Sequence, residues 1–295
     1  MLVDVFSVVA PIFIVAAIGF FWVRLKQPFD NETISNLVMM VGSPCLIFAS
    51  LTANPPSSQA LTSMLLAGAM AITLSGIAGY LVSRLMGWHF ATYTPSLMHQ
   101  NAGNMGLPLV LLAFGEQGLA LGVALFFVNS ISQFTLGIAI ASGKLDPWAL
   151  FRQPIIFAVL AVLLVNFTGL TPPVWVVSTT ELLGGLTIPA MLLMLGTSIA
   201  RLQMSALGET FIVATLRLLF GFGFGHLIVW GLDLSGIVAG VVILQCTMPP
   251  AVFNYVFADR FDREPEKVAA VVLQGTVLSF LTLPLLVGYV LAFNS

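Results

Sequence analysis

The chain has 295 residues, of which 59% are hydrophobic and only 7% are charged, and its formal net charge is −2. Soluble domains carry about 25% charged residues, so this chain has too few charges to cover a water-facing surface. We therefore predict an all-α polytopic membrane protein whose main partner is the lipid bilayer. The chain contains no basic cluster, which argues against nucleic acid as a partner.

Ten apolar runs follow one another along the chain, and a membrane-spanning helix needs about 20 apolar residues. The first run lacks the charged leader of a cleaved signal peptide, so we expect it to be retained. In chain order the ten predicted spans are 2–23, 33–53, 61–86, 94–114, 118–141, 154–170, 174–200, 207–232, 235–258 and 265–293.

The positive residues support this count because they segregate to alternate connections. Nine of the ten lysines and arginines lie in the connections after odd-numbered spans or within three residues of those connections, and the tenth, Arg217, lies deep inside the eighth span. The positive-inside rule predicts that the positive connections are cytoplasmic. We therefore expect a protein of the cell (inner) membrane with both chain termini on the extracytoplasmic side.

The fourth and ninth spans contain residues that interrupt a helix. Freed backbone groups find no water in hydrocarbon, so broken helices occur only where they are buried in protein or line a cavity. Two broken spans in corresponding positions of two halves indicate the binding site of a transporter. The residues expected to shape the two breaks are Gly103, Gly106, Pro108, Met248, Pro249 and Pro250.

The two halves of the chain have the pattern of a repeat. Pro44 and Pro189 are 145 residues apart, and so are Gln100 and Gln245. Because each half contains an odd number of spans, the second half must be inverted relative to the first. We predict a first five-helix repeat over 1–141, a cytoplasmic link over 142–153, and a second, inverted five-helix repeat over 154–295.

The first break reads Asn-x-Gly-Asn-x-Gly-Leu-Pro over 101–108, and the second reads Met-Pro-Pro-Ala over 248–251, with Asn254 beyond it. This pair resembles the auxin efflux carrier family of the bile acid/auxin transporter superfamily, although that family more often has Pro-Ala or Pro-Thr at the second break. The chain also lacks the long cytoplasmic loop of the long plant carriers, so it resembles a compact bacterial-type member.

The resemblance implies a fold and a mechanism. Helices 1, 2, 6 and 7 would form a scaffold domain, and helices 3–5 and 8–10 would form a transport domain. Helices 4 and 9 would cross at their breaks, and one domain would move against the other in an elevator-like or rocking motion. The family's plant members carry auxin, and many bacterial members are described as malonate or malate permeases.

Several polar residues are candidates for substrate binding. Asn101, Asn104, Gln245 and Asn254 lie at the breaks, where half-helix N-termini attract a carboxylate, and they could also simply cap the broken ends. Arg217 could pair with a substrate carboxylate. Its alternatives are snorkelling to the cytoplasmic interface or an ion pair with Glu209.

Five further polar residues are candidates for coupling transport to a proton or an ion, since intramembrane polar groups often serve proton or ion pathways. The alternative for Glu181 is a position at the outer mouth of the protein, and the alternative for the other four residues is ordinary hydrogen bonding. These candidates are Gln100, His99, Glu181, Asn129 and Gln274. We expect no metal site and no cofactor, and the two cysteines, Cys45 and Cys246, are expected to be buried thiols.

The sequence predicts a secondary active transporter of a small organic anion, working by alternating access, with its substrate at the crossing of helices 4 and 9. The alternatives are a sodium-coupled bile-acid-like symporter, a cation carrier, and a non-transporting sensor or channel. Enzyme signatures such as H-E-x-x-H and G-x-S-x-G are absent. Coupling to H⁺, coupling to Na⁺ and uniport all stay open, as does assembly as a homodimer.

Overall fold

The computed structural model describes residues 2–201 and 208–294, and throughout these ranges the regular structure is helical. The predicted all-α architecture is therefore confirmed for the described residues. The α-helices are α1 (Leu2–Arg24), α2 (Asn31–Leu37), α3 (Ser43–Ala53), α4 (Ser58–Met86), α5 (Phe90–Met98), α6 (Leu107–Ser132), α7 (Ile138–Ser142), α8 (Pro154–Thr168), α9 (Val174–Arg201), α10 (Glu209–Gly231), α11 (Gly236–Cys246), α12 (Phe253–Arg260) and α13 (Pro265–Leu291).

Within the described residues, seven helical stretches are long and apolar enough to cross a membrane. The sequence predicts ten spans, and three features account for the difference. The fourth and fifth predicted spans share one helical stretch, Ala102–Ser142. The sixth corresponds to a shorter apolar helix, α8, and the ninth is divided into α11 and α12.

The Ala102–Ser142 stretch is 41 residues long. A straight helix of that length would measure about 60 Å, twice the thickness of the hydrocarbon core. The chain instead bends at Gly115, whose φ of 64° and ψ of −160° suit glycine. A Cβ built on Gly122 would lie 3.3 Å from Val110 Cγ2, so the segments before and after Gly115 pack against each other.

The helices form two groups, and the helices within each group pack closely against one another. In the first group, α1 and α3 both pack along α9, and α3 also packs on α8. In the second group, α4 contacts α5 and α6, while α10 contacts α11 and α13. We call α1, α2, α3, α8 and α9 the first helix group and the remaining helices the second helix group. Contacts of α1 with α13 and of α6 with α9 join the two groups.

Several helix ends that carry positive residues contact one another. Arg201 at the end of α9 donates to the carbonyl oxygen of Phe29, between α1 and α2. Arg263 Nε donates to Ala141 O at 2.7 Å, so the connection after α12 meets the end of α7. Lys267 Nζ pairs with Glu209 at 2.8 Å, which joins the first turns of α13 and α10. Within each group, connections predicted to be cytoplasmic therefore meet at one end.

The close packing of α1 on α9 leads to a stability prediction. A Cβ built on Gly196 in α9 would collide with the carbonyl oxygen of Ala16 in α1, which is backbone and cannot rotate away. We expect Gly196→Ala to lower the free energy of unfolding by about 1–3 kcal/mol through overpacking. Thermal unfolding of the purified protein measures this effect.

Gly185→Ala is the matched control, because Gly185 lies in the same helix and a Cβ there would meet nothing within 4 Å. The control should leave the melting temperature unchanged or raise it slightly, since alanine favours helix. Equal melting temperatures for the two variants would contradict the packing of α1 on α9.

Candidate functional site

The two predicted breaks lie against each other and share backbone hydrogen bonds. Asn101 N donates to Pro249 O at 2.7 Å, and Ala251 N donates to His99 O at 3.0 Å. These bonds form a short antiparallel bridge between Gln100 and Pro250. The bridge satisfies backbone groups that would otherwise be unpaired in the interior of the protein.

The first break lies slightly earlier in the chain than the sequence indicates. The residues without helical structure are His99, Gln100 and Asn101, and a π-helical turn over Ala102–Gly106 then leads directly into α6. Asn101 Oδ1 accepts from Asn104 N at 3.2 Å, so the Asn101 side chain caps the new helix.

The residues predicted to form this break therefore have helical positions. Gly103 and Gly106 lie in the π-helical turn, and Pro108 is the second residue of α6, which continues that turn. Met248, Pro249 and Pro250 do lie in the irregular segment between α11 and α12.

A cavity of about 50 Å³ lies between the two helix groups, next to the paired breaks. It is large enough for a few water molecules. The first helix group lines it with Ser35, Val38, Met39, Ser43, Gln153, Pro154, Ile155, Met191 and Met194. The second helix group lines it with Gln100, Asn101, Gly103, Asn104, Phe126, Asn129, Ser130, Gln133, Phe134, Ala251, Val252 and Phe253.

Amide side chains on the second helix group give the cavity unused hydrogen-bonding groups. Gln100, Asn101 and Asn129 are 1%, 4% and 2% exposed. Neither Gln100 Nε2 nor Asn101 Nδ2 has a protein acceptor, and Asn129 Oδ1 has no protein donor. Asn129 Nδ2 donates to the backbone carbonyl oxygen of Gln100 at 3.1 Å, which fixes the orientation of the Asn129 side chain.

The electrostatic character of the cavity comes from helix ends. Gly103 and Asn104 belong to the start of the helix that follows the first break, and Val252 and Phe253 belong to the start of α12. Helix N-termini carry a partial positive charge of about half an elementary charge. None of the described residues that line the cavity carries a formal charge. The arrangement therefore favours an anion.

Two of the predicted substrate-binding residues, Asn101 and Asn104, line this cavity, and Gln245 and Asn254 do not. Gln245 is fully buried, with its amide against Gly106 and Gly122. Asn254 accepts from Gln133 Nε2 at 3.3 Å and donates to His99 O at 3.4 Å. Asn254 thus connects the start of α12 to the first break.

Arg217 lies outside the cavity lining and adopts neither alternative geometry. Its Nη2 donates to Cys246 O at 2.7 Å and its Nη1 donates to Leu97 O at 3.3 Å. The side chain is buried rather than extended towards an interface, and Glu209 pairs with Lys267 instead.

The candidates for ion coupling occupy different environments. Gln100 and Asn129 line the cavity. His99 is fully buried, and its Nε2 lies 3.0 Å from Ser132 Oγ. Glu181 is exposed on α9, and Gln274 is buried in α13 outside the cavity lining. The structure therefore brings Gln100 and Asn129 together with Asn101 and Asn104.

The sequence reasoning missed most of the apolar wall of the cavity. Asn129 and Gln133, which both line it, are four residues apart, a spacing that places them on one face of a helix. That spacing was the available sequence signal that this face, at the end of α6 and the turn after it, lines the cavity. Apolar residues that line the cavity carry no comparable signal, because lipid-facing helices contain the same residues: Met39, Phe126, Phe134, Met191, Met194 and Phe253.

The sequence profile of a family described as "membrane transport protein" matches residues 4–147 and 140–287. An uncharacterized transporter of Methanothermobacter thermautotrophicus is 26% identical over 270 residues, covering 87% of this chain and 88% of the relative. An uncharacterized transporter of Methanocaldococcus jannaschii is 23% identical over 300 residues, covering 95% of this chain and 96% of the relative. The paired breaks and several apolar helices agree with these matches. The chain is therefore a multi-pass membrane protein that belongs to the membrane transport protein family, which is the family of the auxin efflux carriers.

Proposed function

We propose that this protein is a secondary transporter of a small organic anion, which binds in the cavity beside the paired breaks. The observation that carries the proposal is the junction of two helix N-termini and unpaired amide donors at an uncharged cavity. Neutral donors hold a carboxylate without the tight binding of a buried permanent charge, so the substrate is able to leave again.

The walls of the cavity favour a monocarboxylate with an apolar body. The amides of Gln100 and Asn101 lie on the side of the breaks, whereas Phe126, Phe134 and Met191 contribute apolar surface. The second carboxylate of malonate or malate would have to be desolvated against these apolar groups, which is costly. An aromatic, auxin-like acid fits the wall chemistry better.

The position of the cavity between the two helix groups suits alternating access. In this arrangement the first helix group is the scaffold and the second is the transport domain. A cavity of about 50 Å³ is smaller than the sites that ordinarily hold small ligands, about 300–1,000 Å³, so the groups must separate to admit substrate. Half-buried Ser35 and Gln153 line the cavity next to the predicted cytoplasmic connections, so we expect the groups to separate first on that side.

The ten-span, inverted-repeat topology is part of the same proposal. The bend at Gly115 divides Ala102–Ser142 into a fourth and a fifth span, while α11 and α12 together form the ninth. Together with α8 as the sixth span, this gives five spans in each half of the chain. The protein would then lie in the inner membrane with both termini outside, as the positive connections indicate.

A counterflow experiment tests the transport function. Purified protein in liposomes loaded with unlabelled indole-3-acetate should accelerate the uptake of labelled indole-3-acetate and show saturation, which a channel does not. A parallel series with malonate, malate, bile acids and amines tests the substrate class. Uptake of amines alone would contradict the anion proposal, and linear, unsaturated flux would indicate a channel.

A further inference from the structure

Arg217 is an isolated buried cation. Among the described Asp, Glu, Lys and Arg side chains, it alone is buried, with 1% of its surface exposed. Its guanidinium donates to two backbone carbonyl oxygens, Leu97 O and Cys246 O. A buried charge is ordinarily paired with an opposite charge. The two carbonyl oxygens must therefore supply the negative charge that balances Arg217.

The two carbonyls belong to the C-terminal ends of the two half-helices that precede the breaks. Leu97 lies in the last turn of α5, and Cys246 is the last residue of α11. Each helix C-terminus carries about half a negative elementary charge. Two such ends together amount to about one negative charge, which the single positive charge of Arg217 balances.

The packing of α10 brings Arg217 to this position. Gly221 lies one turn after Arg217 on the same face of α10, and a Cβ there would collide with the carbonyl oxygen of Cys246. Gly225 continues this face and lies close to Ile243 in α11. The backbone of α10 therefore approaches the second break closely enough for the guanidinium to reach both half-helices.

We propose that Arg217 is a permanent, protein-borne cation at the paired breaks and that it occupies the carbonyl position where broken-helix transporters bind a coupling Na⁺. Arg217 is thus a positioning residue that holds the C-terminal ends of α5 and α11 together, while their partner N-termini face the cavity. Transport by this protein is accordingly independent of sodium. The sodium independence of transport rests on the proposed transport function. The occupation of the two carbonyls by Arg217 is independent of that function.

Thermal unfolding without substrate tests the proposal, so its outcome does not depend on whether a carboxylate is transported. Wild-type protein is measured in sodium chloride and in choline chloride of equal concentration. We expect the same melting temperature in both salts, because the guanidinium already occupies the carbonyls. A wild-type melting temperature that rises with sodium relative to choline would show a bound Na⁺ and would overturn the proposal.

Two substitutions of similar size separate the charge of Arg217 from its volume. Arg217→Lys keeps a positive charge, and Arg217→Met has an unbranched apolar side chain of comparable length. We expect Arg217→Met to lose several degrees of melting temperature and Arg217→Lys to lose clearly less. Equal losses in the two variants would mean that side-chain volume alone matters and would overturn the role of the charge.

A transport measurement then tests the coupling. Uptake of indole-3-acetate by wild-type proteoliposomes should have the same initial rate in sodium and in choline. A sodium-dependent rate would overturn sodium independence. If no uptake occurs in either salt, the transport function itself is wrong, while the unfolding results above still decide whether Arg217 occupies the carbonyls.

Discussion

Asn101→Ala is expected to weaken the binding of a carboxylate substrate about 10- to 100-fold and to lower uptake accordingly. The Asn101 amide presents an Nδ2 donor without a protein acceptor at the cavity, and a hydrogen bond to a charged group contributes about 1.5–3 kcal/mol. The measurement is the ligand-induced rise in melting temperature over a concentration series, followed by uptake in liposomes.

Two further variants make the Asn101 result specific. Asn101→Asp keeps the oxygen that caps Asn104 N but replaces the donor by a second oxygen, so it should bind anions poorly while remaining folded. Asn166→Ala removes the same amide from an exposed position on α8 and should behave as the wild type. Unchanged affinity in both Asn101 variants would remove this residue from the proposed site.

Gly221→Ala is expected to cause the largest loss of stability among the variants considered, about 3 kcal/mol. The added methyl group would push α10 away from Cys246 O, and the Arg217 hydrogen bond to the same oxygen would weaken with it. Overpacking accounts for about 1–3 kcal/mol, and a hydrogen bond to a charged group adds about 1.5–3 kcal/mol. Thermal or chemical unfolding of the purified protein measures the effect.

The control for Gly221 is Gly223→Ala in the same helix, where a Cβ would meet no atom within 4 Å. This variant should keep the wild-type melting temperature, because Gly223 is exposed. If Gly221→Ala were as stable as Gly223→Ala, α10 could not approach the second break as closely as described, and the contact of Arg217 with Cys246 would have to be revised.

Much of the fold was accessible from the sequence because it follows from composition. Low charge and long apolar runs predict helices in a membrane, and the interrupting residues predict two breaks. Asn101 and Asn104 were identified because polar residues in a membrane span have few roles other than binding or capping. In the structure the oxygen of Asn101 caps a helix, and the residue also lines the cavity.

The precise start of the first break was not accessible, because glycine and proline also occur inside membrane-spanning helices. There, neighbouring groups and local π-helical adjustments compensate for the missing N–H of proline, and Pro108 directly follows the π-helical turn Ala102–Gly106. The sequence therefore could not distinguish a break at Pro108 from a helix that begins earlier. The capping bond from Asn101 decides in favour of the earlier start.

Neither the environment of Arg217 nor the difference between Gln100 and Gln245 can be read from the sequence. Every residue has a backbone carbonyl, so the sequence does not indicate which carbonyls accept from Arg217, and it contains no acidic side chain that marks the partner. Gln100 and Gln245 have equivalent places in the repeat, yet Gln100 lines the cavity and Gln245 packs against Gly106 and Gly122. The cavity lies on one side of the paired breaks, and this asymmetry separates the two glutamines.

The proline pair in the second break makes this unwound segment a poor path for leaked water and protons. Pro249 and Pro250 have no N–H to hydrate. The remaining N–H groups from Thr247 to Ala251 all have carbonyl acceptors: Thr247 N donates to Ile243 O, Met248 N to Gln245 O and Ala251 N to His99 O. From Thr247 to Ala251 the chain is thus unwound within the protein without leaving a backbone donor to recruit a column of water, which helps to preserve the electrical insulation of the membrane there.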